Sequence, residues 1–293
     1  MRLATAAVAI PLMLALLFAV PPWGFYLLVL AATLVGAVEL FGMTHQGDRV
    51  AQAAHTATAL AASLVVFRFG ADARALLALA ALTPLVAMLV SLARLGAVET
   101  AALRMTSGAF GPLYLLGLTL LSRLHAERGA EGPWYVLMTL AFAWGGDTGG
   151  YFAGRFLGKH KLYPAVSPKK TVEGAIGGLA GSVLAAVVIC STTLRSIPLW
   201  HGVALALVAG ALGQLGDLGE SLLKRSTGVK DSGQIVPGHG GILDRVDALL
   251  MAATVVYLYT RAAHGLSSAP CPRARATSTS RRSSRCCRTG TRW

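Results

Sequence analysis

The chain has 293 residues, of which 55% are hydrophobic and 13% charged, with a mean hydropathy of +0.61. A soluble domain carries about 25% charged residues, so a surface facing water on all sides is excluded and an integral membrane protein is expected. The net charge of +13 does not indicate nucleic acid, because much of it lies in Arg273, Arg275, Arg281, Arg282, Arg285, Arg288 and Arg292, in a terminal stretch without any acid.

A bilayer core needs about 20 apolar helical residues to cross it. On that measure the sequence predicts an all-α, polytopic transmembrane protein of about nine spans, near 4–20, 23–43, 51–67, 75–93, 107–122, 133–153, 173–193, 198–218 and 242–262. The first follows Arg2 as a signal peptide would. Pro21-Pro22 stands where small residues would mark a cleavage site, and a second apolar run follows at once, so a retained helix is expected. The third and fifth spans are short. In the seventh, Gly174, Gly177, Gly178 and Gly181 have a spacing that lets membrane helices approach closely. Residues 1–264 read as one membrane-embedded domain. Residues 265–293, rich in Ser, Thr, Arg, Cys and Pro, read as a basic tail unable to form a core. Cys190 lies in an apolar run and the other three cysteines in the tail, without C-x-x-C spacing, so no thiolate metal site is expected.

The loops carry the remaining positive charge, where it suits anionic head groups and phosphate substrates; no nucleic-acid recognition motif accompanies it. Residues 154–172 hold Arg155, Lys159, Lys161, Lys169 and Lys170, and residues 219–241 hold Lys224, Arg225 and Lys230. Two spans separate these loops, so they share a side, and the positive-inside rule makes that side cytosolic.

Seven of the thirteen acids fall within about a hundred residues: Asp147, Glu173, Asp217, Glu220, Asp231, Asp244 and Asp247. An ionisable group within a span costs about 2.5–3.5 kcal/mol on insertion scales, which makes such a group a functional candidate. Three segments gather them. At the end of the eighth span, Asp217, Ser221 and Lys224 fall at i, i+4 and i+7 and share one helical face. A carboxylate, a hydroxyl and an ammonium so aligned form one wall of a metal–phosphate site; an amphipathic helix end with a snorkelling lysine would look the same. Next, Lys230-Asp231-Ser232-Gly233 and Pro237-Gly238-His239-Gly240-Gly241 form a loop leading into a helix that begins Asp244-Arg245-x-Asp247. Glycine backbone and a helix amino end both suit phosphate. Finally, Asp147-Thr148-Gly149 precedes Ser167-Pro168-Lys169-Lys170-Thr171, a basic loop with hydroxyls.

The run Ser221-x-x-Lys224-Arg225-x4-Lys230-Asp231-x-Gly233-x3-Pro237-Gly238-His239-Gly240-Gly241-x-x-Asp244-Arg245-x-Asp247 closely resembles the signature of phosphatidate cytidylyltransferases, or CDP-diacylglycerol synthases. The Asp147-Thr148-Gly149 and Ser167-Pro168-Lys169-Lys170-Thr171 runs look like that family's other segments. The resemblance is specific over about 145–250; before it, Glu39 in the second span is a candidate family acid. Gly150 and Val236 depart mildly from the pattern, and the arginine-rich end is no part of it. The resemblance implies transfer of a cytidylyl group from CTP to phosphatidate with release of pyrophosphate, in a bacterial inner membrane, the site facing the cytosol. Such a reaction needs alignment and charge neutralisation rather than a strong base. Asp217 and Asp244 are expected to carry Mg²⁺, with Asp247 and Asp231 as alternatives. Ser167, Lys169, Lys170 and Thr171 should hold phosphate; Lys224, Arg225, Lys230 and Arg245 should complete the anion site. Ser221 and His239 should contact substrate, and Asp147 should orient a loop or reach the metal through water. Dependence on a monovalent cation, and a homodimer as against other oligomeric states, are left open. A transporter would bury its acids near mid-membrane in related halves, whereas here they cluster towards one face.

Overall fold

In a bilayer, apolar runs of this length satisfy their backbone groups by forming helices. The computed structural model describes residues 11–70, 72–233 and 240–267, and within them a helix stands at each predicted span, the first being described only from residue 11. After α1, described over 11–18, come α2 (Pro22–Thr44), α3 (Arg49–Phe69), α4 (Ala73–Ala93), α5 (Ala101–Glu127), α6 (Gly132–Phe156), α7 (Val172–Thr192), α8 (Leu199–Ser226) and α9 (Leu243–Ser267). Among the described residues, seven helices are long and apolar enough to cross a membrane: α2 to α5 and α7 to α9. The protein is therefore an all-α, polytopic membrane protein.

Local chemistry sets the helix ends. Proline at the first position opens α2. Asp48 caps α3 by accepting from Ala51 N at 3.1 Å, and Asp72 caps α4 by accepting from Arg74 N and Ala75 N. The two spans expected to be short are not: α3 has 21 residues and α5 has 27. The extra turns of α5 are charged, so an apolar window misses them. Arg104 pairs with Asp48 at 3.0 Å at one end, and Arg123 pairs with Glu127 at the other. The Ala51 N–H, with Arg94 and Arg104 nearby, holds the Asp48 carboxyl below its usual range.

A second difference lies between α6 and α7. The expected loop contains a hairpin, β1 (Lys161–Tyr163) antiparallel to β2 (Ser167–Thr171), with Lys161 opposite Thr171 and Tyr163 opposite Ser167. Pro168 is tolerated because a two-stranded ribbon has only edges. Glu173 secures the base of the hairpin, accepting from Lys159 N at 3.1 Å and His160 N at 3.2 Å, with His160 Nδ1 at 2.6 Å. Arg225 reaches over from α8 and donates to the Val166 carbonyl at 3.4 Å.

In the packed molecule α5 lies against α2, α3, α4 and α9, while α6, α7, α8 and α9 form a continuous series of neighbours. Van der Waals contact and hydrogen bonds, rather than expulsion of water, hold such helices together. Along α6 and α7 the backbones meet directly: a Cβ at Gly149 would overlap the Gly177 carbonyl, and one at Gly181 that of Gly145. The glycine spacing of the seventh span thus serves helix packing. Ser182 Oγ donates to Phe142 O at 2.8 Å, and Gln214 Nε2 to Ala175 O at 3.0 Å, fixing α7 to α6 and α8 to α7. The result places the carboxyl ends of α2, α6 and α8 beside the amino ends of α7 and α9.

Candidate active site

At that end of the bundle α6, β2, α7, α8 and α9 enclose a cavity of about 400 Å³. Asp147, Arg155, Lys169, Lys170, Thr171 and Asp217 line its outer part. Further along the same helices, towards the middle of the spans, its walls are Phe142, Ala143, Ala209, Ala248 and Ala252. Charge is therefore confined to the mouth, and the depth is largely apolar, its Ser182 hydroxyl being bonded to Phe142 O.

The mouth is organised by one close ion pair, Lys170 Nζ to Asp217 Oδ2 at 2.5 Å, with both side chains about a third exposed. Asp147 lies within the field of Asp217, Lys170 and Arg245. Asp247, one turn into α9, lies within the field of Asp217 and Asp147. Carboxylates from α6, α8 and α9 thus lie near enough to feel one another's charge. Thr171 has a local duty as well, since its Oγ1 caps α7 by accepting from Gly174 N at 3.1 Å; its hydroxyl proton remains available to a cavity ligand. Ser167 is half-buried at the start of β2.

The remaining signature residues form a second, adjoining cluster. α8 continues unbroken to Ser226, so Glu220 and Lys224 are a turn apart on one face. Lys224 Nζ lies 2.5 Å from Asp244 Oδ1 and 3.1 Å from Glu220 Oε1. The Glu220 side chain is 1% exposed. Asp244 Oδ2 accepts from Ser232 N and Gly241 N, each at 3.1 Å, so in this structure Asp244 anchors a loop and neutralises Lys224. Arg225 binds the Val166 and Val229 carbonyls, joining the hairpin to the segment after α8. Ser221 is buried in α8, whereas Lys230, Asp231 and Arg245 are exposed. His239 lies outside the described residues.

Spacing alone did not single out Glu220, Gln214 or Arg155. The first was visible as an acid inside a span, although nothing local marked it as the most enclosed carboxylate of the group. Glu39, flagged only as an acid in the second span, accepts hydrogen bonds from Ser232, Ile242 and Leu243.

Whether the residues suit Mg²⁺ turns on the donor set. Among the described residues no group of three or more His, Cys, Asp or Glu side chains is gathered to hold a metal ion. Magnesium does not need such a cage: it binds hard oxygens through one or two carboxylates, completed by water and substrate phosphate. Asp147 and Asp217 line the cavity and supply that chemistry, with Asp247 within their field, and the donor set fits.

The model of the Cytidylyltransferase family matches residues 1–263. Among curated proteins, the phosphatidate cytidylyltransferase of Staphylococcus saprophyticus is 48% identical over 124 residues, covering 42% of this chain and 48% of that protein. Those of Staphylococcus epidermidis and Staphylococcus aureus are 47% and 46% identical over 124 residues, with the same coverage. The chain spans about half the length of the curated relatives it matches. With the family model extending over most of its length, including every described residue of the cavity, the chain belongs to the Cytidylyltransferase family.

Proposed function

We propose that the protein transfers the cytidylyl group of CTP to phosphatidate, giving CDP-diacylglycerol and pyrophosphate. The observation that carries this reading is the division of the cavity into a charged mouth and an apolar depth. A soluble nucleotide and a lipid phosphate can meet at such a mouth while an acyl chain occupies the apolar part. The names of the curated relatives support the same reaction.

The phosphate of phosphatidate behaves as a phosphate monoester, with a second pKa near 6, and is largely ionised at neutral pH. One of its oxygens attacks the α-phosphorus of CTP, and the bond from that phosphorus to the oxygen bridging the β-phosphorus breaks, releasing pyrophosphate. The protein's task is alignment and neutralisation of two anions. Lys169, Lys170 and Arg155 line the mouth and supply cations for the phosphates; Thr171 offers a hydroxyl donor. Lys170 can exchange its Asp217 partner for a phosphate oxygen because the pair is partly open to solvent. Lys224, shared between Glu220 and Asp244, fixes the adjoining wall. Mg²⁺, held by Asp217 with Asp147 and Asp247, would neutralise charge on the triphosphate and on the leaving pyrophosphate. The membrane is taken to be a bacterial inner membrane, with the cavity mouth towards the cytosol, where CTP is found.

Purified protein incubated with labelled CTP, phosphatidate and Mg²⁺ should yield a labelled lipid. Labelled CTP that remains wholly water-soluble, with protein shown to be folded, would overturn the proposal. A panel containing isoprenoid phosphates in place of phosphatidate checks the lipid class.

A further inference from the structure

Glu39 sits in α2, 4% exposed and distant in sequence from every motif of the site. Among the described residues it forms no ion pair with a lysine or arginine; its carboxylate accepts from Ser232 Oγ at 3.2 Å, Ile242 N at 3.1 Å and Leu243 N at 2.8 Å. Ile242 immediately precedes α9 and Leu243 opens it, where N–H groups have no partner inside the helix and carry partial positive charge. Part of the counter-charge for α9 thus comes from another helix. Asp244 takes the neighbouring donors, Ser232 N and Gly241 N. Two carboxylates therefore share the N–H groups where the segment after α8 crosses the start of α9. The fit leaves no room for a side chain at Gly241, where a Cβ would overlap Ser232 Oγ and stand 2.6 Å from Glu39 Oε2.

We propose that Glu39 is a positioning residue for the active site. It fixes the amino end of α9 together with Ser232–Gly233, and through them the Asp244–Lys224 pair and Asp247 one turn on. Glu39 touches neither substrate nor reacting atoms. A glutamine there has the same length but replaces one acceptor oxygen with an NH₂ group, leaving a buried backbone donor unpaired. An aspartate keeps both oxygens and the charge but is one methylene shorter.

The activity arm of the test rests on the cytidylyltransferase reading. Glu39→Gln should lower kcat about tenfold or more, the consequence of one unpaired buried donor. KM for CTP should stay near the wild-type value, because the cavity mouth on α6, β2 and α8 is untouched. Glu39→Asp should recover part of kcat. Gly241→Ala disturbs the same contact from the other side, so the double variant with Glu39→Gln should lose no more than the worse single variant. A second arm needs no substrate: hydrogen exchange at amides 240–247 should quicken in Glu39→Gln ahead of the rest of the chain. Wild-type kcat with unchanged exchange at 240–247 would overturn the inference. So would uniformly faster exchange with a lower melting temperature, which assigns Glu39 to general stability. A wild-type protein that forms no labelled lipid would defeat the reading of the activity, while the exchange arm would still decide the role of Glu39.

Discussion

Lys170 and Asp217 hold each other across the cavity mouth, whereas Lys224 and Asp244 are enclosed and tied to backbone. Two similar substitutions should therefore differ in character. Asp217→Asn should reduce turnover at least about a hundredfold, the cost of losing a charge-stabilising ligand, and leave the thermal midpoint in detergent unchanged. Asp244→Asn should lower both, because breaking a buried pair from one side costs about 3–5 kcal/mol. If Asp217→Asn keeps near-normal turnover at saturating Mg²⁺, the metal assignment is wrong. Local spacing made several residues of the mouth legible: Asp147, Lys169, Lys170 and Asp217 were marked by charge inside or beside spans and Thr171 by its hydroxyl in the basic loop, and all line one cavity. What it did not reveal was the division of labour between that cavity and the adjoining cluster. The contact of Glu39 with Leu243 spans 204 residues, and a helical period carries no information over such a distance.

At the scale of elements, the apolar runs were legible because a span must be helical and must be long. The turns that exceed them were not, since they depend on partners elsewhere: α5 extends through Arg104 because Asp48 is there to meet it. The hairpin escaped for a similar reason. Its five-residue second strand holds Pro168 and two lysines, and it is secured by Glu173 and Arg225 from two helices rather than by its own propensity. The α6–α7 seam gives the clearest prediction. Gly181→Ala should destabilise the protein by about 1–3 kcal/mol, the range for overpacking, as read from its thermal midpoint. Gly42→Ala is the control: nothing lies within 4 Å of its Cβ, and alanine favours a helix by about 1 kcal/mol, so stability should hold or rise.

For the whole molecule, the arrangement of ends fixes what a topology experiment should find. The hairpin and the end of α8 meet at one end of the bundle, and the turn holding Ser196, between α7 and α8, lies at the other. Single cysteines at Ala165 and Ser226, both exposed, should be blocked by impermeant reagents from one side of the membrane, and a cysteine at Ser196 from the opposite side. Ser232 is unsuitable for such labelling because it is 7% exposed and bonded to Glu39. Blocking of the Ala165 and Ser226 positions from different sides would separate the two halves of the proposed site. Truncation after residue 264 should leave activity intact, since the family match ends at 263; a well-inserted but inactive truncated protein would contradict this.

The placement of charge along the cavity also bears on lipid traffic. Its ionic groups stand only at the end shared by α6, β2 and α8, while the opposite end of the bundle is tied by Arg123, Arg261 and Glu127 into an ion-paired cluster of its own. On the proposed activity, a diacylglycerol backbone would enter and leave with its head group at the same membrane surface. The enzyme would then be a strictly one-leaflet machine that leaves transbilayer asymmetry untouched. In sealed vesicles of uniform orientation, newly made nucleotide-bearing lipid should accumulate only in the monolayer that faces the supplied CTP.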